Sequence, residues 1–169
     1  MSEAPSNPTS NTSEFRFEKQ RVEASLTTSS GQTMRGCFFT AGATRHGDGP
    51  ERVGELLNGA KGFFPFEVQE GAVPRTVLCN REHVVLIGLG MNEEEHVPGY
   101  AVATRRHVSL LLSTGQRVTG FVRVYRPEGR DRLSDWTRQP DTFRYLHTGD
   151  HMLIVNAAHI VDVSEVPEP

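Results

Sequence analysis

Apolar and polar residues alternate along two well-separated runs of this chain. In Ala24-Ser25-Leu26-Thr27-Thr28, Ala24 and Leu26 share a face, and in Val108-Ser109-Leu110-Leu111-Leu112 the shared face is Val108, Leu110 and Leu112. A period of two is the mark of a strand buried on one side. Each run leads into a short hairpin turn, Ser30-Gly31 or Thr114-Gly115, where glycine supplies the positive φ that other residues resist. The returning strands are predicted at 34–40 and 118–125, each with an interior glycine, Gly36 or Gly120. Glycine inside a strand predicts a bulge or a sharp bend, of the kind a short sheet needs to curl.

Polar loops at 42–50 and 126–130 come next, followed by a short helix in each copy. Residues 52–58 and 132–138 place an acid three positions after an arginine, and Leu56, Leu57, Leu133 and Trp136 form the apolar face. Phe63-Phe64-Pro65-Phe66 and Phe143-Arg144-Tyr145-Leu146 open third strands, 76–79 and 152–155 are fourth strands, and 83–87 and 159–163 are fifth. The order β-β-α-β-β-β thus occurs twice, and the landmarks repeat with it. Ser29-Ser30-Gly31-Gln32-x3-Gly36 is answered by Ser113-Thr114-Gly115-Gln116-x3-Gly120, and Asn80-x2-His83 by Asn156-x2-His159. Such ordered self-similarity predicts a duplicated module. The organisation expected is a disordered tail at 1–13, a first module at 14–89, a linker at 90–103, a second module at 104–164 and a tail at 165–169. Glu93-Glu94-Glu95, Pro98 and Gly99 give the linker its charged, turn-rich character. Phe15 and Phe17 suggest a short strand or arm before the first module. Units of about 60 residues bury little surface alone, so a shared interface or a larger assembly is expected.

The net charge of −3 argues against a general polyanion binder. Its distribution is uneven: residues 105–163 hold nine arginines and no lysine against six acids, which leaves that stretch at +3. Cys37 and Cys79 have no counterparts in the second copy, where the matching positions are Phe121 and Val155. They read as small core residues rather than a disulfide framework, and a cytoplasmic setting is expected. No apolar run approaches the roughly 18 residues of a membrane span, so membrane insertion is not expected.

Val108-x-Leu110 followed by Gly115-x4-Gly120, together with Val155-Asn156-Ala157-Ala158-His159-Ile160-Val161-Asp162-Val163, is similar to the two signatures of Sm-like small barrels. Residues 108–163 also resemble an uncharacterised bacterial domain family that pairs an Arg-Leu-Ser-Asp helix with a later Phe and ends in Val-Asn-x-x-His-Ile. The resemblance implies a mainly β fold of two duplicated Sm-like or SH3-like barrels. The Asp or His, Asn and Arg-Gly with which Sm-like proteins clasp bases do not transfer by position. The late turns here read Asn80-Arg81-Glu82 and Asn156-Ala157-Ala158.

Candidate chemistry is sparse. There is no phosphate loop, nucleophile elbow or framed pair of acids, and no enzyme activity or cofactor is expected. Cys79-x3-His83 and His147-x3-His151 fall short of a metal site's three or four donors. Asn80, His83, Asn156 and His159 read as structural turn pairs, with Asn in the left-handed conformation it tolerates and His capping the turn. Arg123, Tyr125, Arg126, Arg130 and Trp136 are the interaction candidates, being the residue types that dominate hot spots. These features lead to a scaffold or adaptor that binds protein partners or self-assembles. An RNA-binding module using the arginine-rich second copy is the alternative, and a small ligand between the modules a third possibility.

Overall fold

The computed structural model describes residues 19–42 and 49–169. The expected tail at 1–13, the Phe15 and Phe17 arm and most of the 42–50 loop lie outside the described residues. Ten strands and two short helices follow the predicted order. The first half runs β1 (Lys19–Thr28), β2 (Thr33–Ala41), α1 (Val53–Asn58), β3 (Phe63–Val68), β4 (Arg75–Asn80) and β5 (Val84–Leu89). The second runs β6 (Thr104–Leu112), β7 (Arg117–Val124), α2 (Leu133–Thr137), β8 (Phe143–Thr148), β9 (His151–Asn156) and β10 (Ile160–Glu165). Short 3₁₀ turns at Arg81–His83 and Ala157–His159 occupy the late turns, and two more, Glu93–His96 and Tyr100–Val102, lie between the halves.

The chain is mainly β, as the alternation predicts, but its strands do not divide into two separate barrels. All ten lie in one antiparallel sheet, in the order β10-β6-β7-β8-β9-β5-β1-β2-β3-β4. Each half contributes five strands in the same relative order, and the registers repeat. Phe63 faces Asn80 as Phe143 faces Asn156, and a slip in the β1–β5 ladder after Thr27 recurs in the β6–β10 ladder after Ile160. The join is β5 against β9, with Leu86 opposite Val155 and Leu89 opposite Met152. Its physical reason is visible in β5: Val84-Val85-Leu86-Ile87 is apolar on both faces, so both need cover.

Each half completes the other's core. Leu26, Phe38, Phe64 and Phe66 pack with Phe143, Met152 and Ile154 from the second half. Val85 and Leu86 from the first half join Val108, Leu110, Val122 and Trp136. With about 1.5–3 kcal/mol gained per fully buried large apolar side chain, these exchanged residues hold the halves firmly together.

The hairpin glycines adopt the predicted positive φ, 83° at Gly31 and 86° at Gly115. Gly36 and Gly120 act differently from the expected bulge, since the β1–β2 and β6–β7 registers run through them unbroken. A Cβ on Gly36 would overlap the Glu67 carbonyl, and one on Gly120 would crowd that of His147. They are points of close backbone approach between neighbouring strands. Cys37 and Cys79 are buried free thiols, and burial pushes the Cys79 thiol above its ordinary pKa.

Both helices are single turns, too short to persist without help at their ends. The predicted acids close the N-termini: Glu55 accepts from the Arg52 N–H at 2.9 Å and Asp135 from the Arg132 N–H at 3.0 Å. Two buried arginines close the C-termini. Arg81 donates to the carbonyls of Leu56, Leu57 and Phe63, and Arg144 to those of Trp136, Gln139 and Asp141.

Candidate interaction sites

The expected linker is a packed strap. Glu93 and Glu94, which give the expected linker its charge, are both buried. The Glu93 carboxylate accepts from the Val53 and Gly54 amides, each at 2.8 Å, and so satisfies two open N–H groups of α1 from the strap. It also accepts from the Tyr145 hydroxyl at 2.8 Å. Gly54 has no room for a Cβ beside that hydroxyl. Burial, with Glu93 beside it, holds the Tyr145 phenol far above its usual pKa. Glu94 accepts from Tyr125 at 2.9 Å; its own burial raises its pKa, partly offset by that hydrogen bond and by Arg123.

Gly54, Glu94 and Tyr145 line a cleft of about 440 Å³ between the halves, which brings together most of the expected interaction residues. Arg123, Tyr125, Arg126 and Trp136 line it, with Arg52 from the first half; Arg130 is not among the lining residues. Their individual states differ. Arg123 stacks on the Tyr100 ring, 3.8 Å from its centre, and donates to the Tyr100 carbonyl. Tyr125 is half-buried and committed to Glu94, while Arg126 and Arg130 are exposed. Trp136 is buried under the Arg144 guanidinium and anchors α2 to the core, which fits its place on the helix's apolar face rather than its candidacy as an interaction residue.

No protein-family model, curated protein or solved structure matches this chain. Its own geometry therefore carries the functional argument.

The repeated Asn and His pairs are more informative than their sequence suggested. Asn80 and Asn156 are extended, with φ of −79° and −77°, rather than left-handed. Each side chain instead accepts from the amide two residues on, Glu82 or Ala158, which is the same closure reached at negative φ. The histidines do not cap these turns either. The Nδ1 atoms of His83 and His159 pair with the Ser29 and Ser113 hydroxyls, at 3.0 and 2.8 Å, tying each late turn to the first hairpin of its own half.

At the junction the second-half pair does more. The Asn156 amide donates to the Val84 carbonyl at 2.8 Å and the Arg81 carbonyl at 3.3 Å. His159 Nε2 meets the Glu82 carbonyl at 2.6 Å. A carbonyl only accepts, so Nε2 is the donor in this contact. Among the described residues, the corresponding Asn80 amide nitrogen and His83 Nε2 meet no hydrogen-bond partner. Asn80 ends β4, one of the two outermost strands among the described residues, and His83 ends the 3₁₀ turn that follows it.

The other expected histidines lie apart from these. His147 and His151 flank the turn of the β8–β9 hairpin on opposite strands, and His151 is exposed. Among the described residues, no three His, Cys, Asp or Glu side chains gather as metal ligands would. Among them too, no helix is long and apolar enough to cross a membrane. The tail expected at 165–169 is partly held, by the Val166 amide on the His107 carbonyl and by His107 Nδ1 donating to the Pro167 carbonyl.

Proposed function

We propose that this chain is a non-enzymatic scaffold or adaptor, built on two copies of a five-stranded unit joined in one sheet, that holds protein partners or further copies of itself at its sheet edges. The observation that carries the reading is the pair of strands left outermost among the described residues, β4 and β10, with the exposed apolar side chains Leu78 and Val161 on them. An open edge is a template for another strand unless it is blunted. β4 contains neither proline nor lysine to blunt it. The two buried free thiols fit a reducing, cytoplasmic setting.

The RNA alternative draws less support, because many of the second half's arginines are engaged within the chain. Arg106 pairs with Asp131 and Glu165, and Arg117 with Asp162. Arg123 lies on Tyr100 and Arg144 caps α2. The test is capture from host extract, with and without nuclease treatment, by the tagged chain and by the double variant Leu78→Asp/Val161→Asp. The scaffold reading predicts polypeptides, this chain's own copies included, retained by the first and lost from the second. Salt-sensitive retention of RNA, lost on neutralising Arg123, Arg126 and Arg130, with no edge-dependent polypeptide, would overturn it in favour of the alternative.

A further inference from the structure

The two edges left open among the described residues are the counterparts of the two strands that already pair inside the chain. β4 occupies in the first half the place of β9 in the second, and β10 occupies that of β5, by the 76-residue offset that relates His83 to His159. We infer that chains associate head to tail, β4 of one copy pairing antiparallel with β10 of the next, in the register of the internal β5–β9 junction. Carrying that register over by the same offset sets Leu78 opposite Val163 and Cys79 opposite Asp162 of the neighbouring copy. The inference rests on the scaffold reading and specifies its occupant as a second copy of this chain.

Exposure supports the match. Leu78 is 69 % exposed where its counterpart Ile154 is 1 %, and Val161 is 64 % exposed where Val85 is 0 %. Phe63, on the strand beside β4, is 63 % exposed where Phe143 is 4 %. All three counterparts belong to the cores shared across the internal junction. The polar groups give a second, independent match. Asn156 and His159 each spend one atom on their own half and another on carbonyls across the junction. Asn80 and His83 spend the same first atoms, and their outward donors would reach the Ala157, Ile160 and Ala158 carbonyls of the next copy.

The copied edges are not identical to the internal ones. Asp162 stands where Leu86 does, kept paired with Arg117, and Thr76 where Met152 does. The contact between chains is therefore weaker and more polar than the internal one, as suits assembly that reverses on dilution. Because the joining surfaces differ, the association is heterologous and continues from chain to chain until a ring closes or a filament forms.

Light scattering on the purified full chain tests this. The wild type should grow in mass with concentration from 18.8 kDa in steps of whole chains. Leu78→Asp blocks β4 and Val161→Asp blocks β10, each by placing a carboxylate where the counterpart is dry. Both sites are exposed in the single chain, so melting temperatures near wild type serve as the folding control. Each variant alone should stay at 18.8 kDa, and their equimolar mixture should reach twice that and stop, since one intact β4 then meets one intact β10. A wild type that stays single at every concentration, either variant still growing alone, or a mixture that stays single would each overturn the pairing. A single-chain wild type leaves the scaffold reading to the capture experiment, so the two failures are distinct.

Discussion

Replacing Asn156 by alanine isolates the polar half of the internal junction, and Asn80→Ala supplies a matched control elsewhere in the same molecule. Asn156 is buried and makes three hydrogen bonds, accepting from the Ala158 amide and donating to the carbonyls of Val84 and Arg81. Its loss leaves the Val84 carbonyl without this donor at a site closed to water. A buried group stripped of its partner costs about 1–3 kcal/mol, and a lost turn cap adds about 1 kcal/mol. The 3.3 Å bond to Arg81 contributes least because it is the longest. The expected loss is about 3 kcal/mol, which for a chain of this size lowers the melting temperature by about 6–12 °C. Asn80→Ala removes only the bond from Glu82, at an edge open to solvent, and should cost about 0.5–1 kcal/mol, or about 1–4 °C. Calorimetry on dilute protein, where chains are single, compares the two directly. Equal losses, or a loss below about 1 kcal/mol for Asn156→Ala, would refute the claim that this asparagine bonds across the junction.

Further predictions concern the helix caps, the close backbone approaches and the strap. Arg81→Met orphans the carbonyls of Leu56, Leu57 and Phe63 and should destabilise the fold by about 3 kcal/mol in chemical denaturation. Arg81→Lys should recover only part of this, because one ammonium cannot reproduce a planar fork. Gly36→Ala forces a methyl group into the Glu67 carbonyl and should cost about 2–3 kcal/mol or more by the same assay, whereas Gly31→Ala, with open space but positive φ, should cost about 1 kcal/mol. Burial raises the Glu94 pKa in the folded state, so folding favours its protonated form: the stabilisation is full below the unfolded value of about 4.5 and is lost as pH rises through the folded value. Glu94→Gln, which keeps an acceptor for Tyr125, should therefore gain on the wild type in melting temperature at pH 7.5 and lose that advantage at pH 4. An advantage unchanged between the two pH values would refute the assignment.

Local pattern revealed the strands, the hairpin glycines, the helix positions and the core placement of both cysteines, because each depends on residues a few positions apart. The role of Glu93 was not legible, since its partners Val53, Gly54 and Tyr145 are distant in sequence and a run of three glutamates reads locally as solvated. Arg81 and Arg144 were hidden likewise: an arginine in a turn or strand looks like surface until a helix C-terminus is placed against it. The asparagines were assigned the wrong φ because Asn tolerates the left-handed region, while a 3₁₀ turn offers its side chain the same amide without positive φ. The signal for a single sheet lies in its two central strands. β5 and β9 carry continuous apolar runs, Val84-Val85-Leu86-Ile87 and Met152-Leu153-Ile154-Val155, where β10 alternates and β4 carries a shorter run. Double-sided apolar strands are interior strands, and their pairing with each other is what joins the halves.

The most direct test of the edges as binding surfaces is residue-resolved amide hydrogen exchange of the wild-type chain at low and high concentration. Protection that rises with concentration in β4 and β10, while β1 and β6 stay protected throughout, is the predicted result. Exchange in β4 and β10 that is equally fast at both concentrations, with any growth in mass traced to another surface, would contradict it.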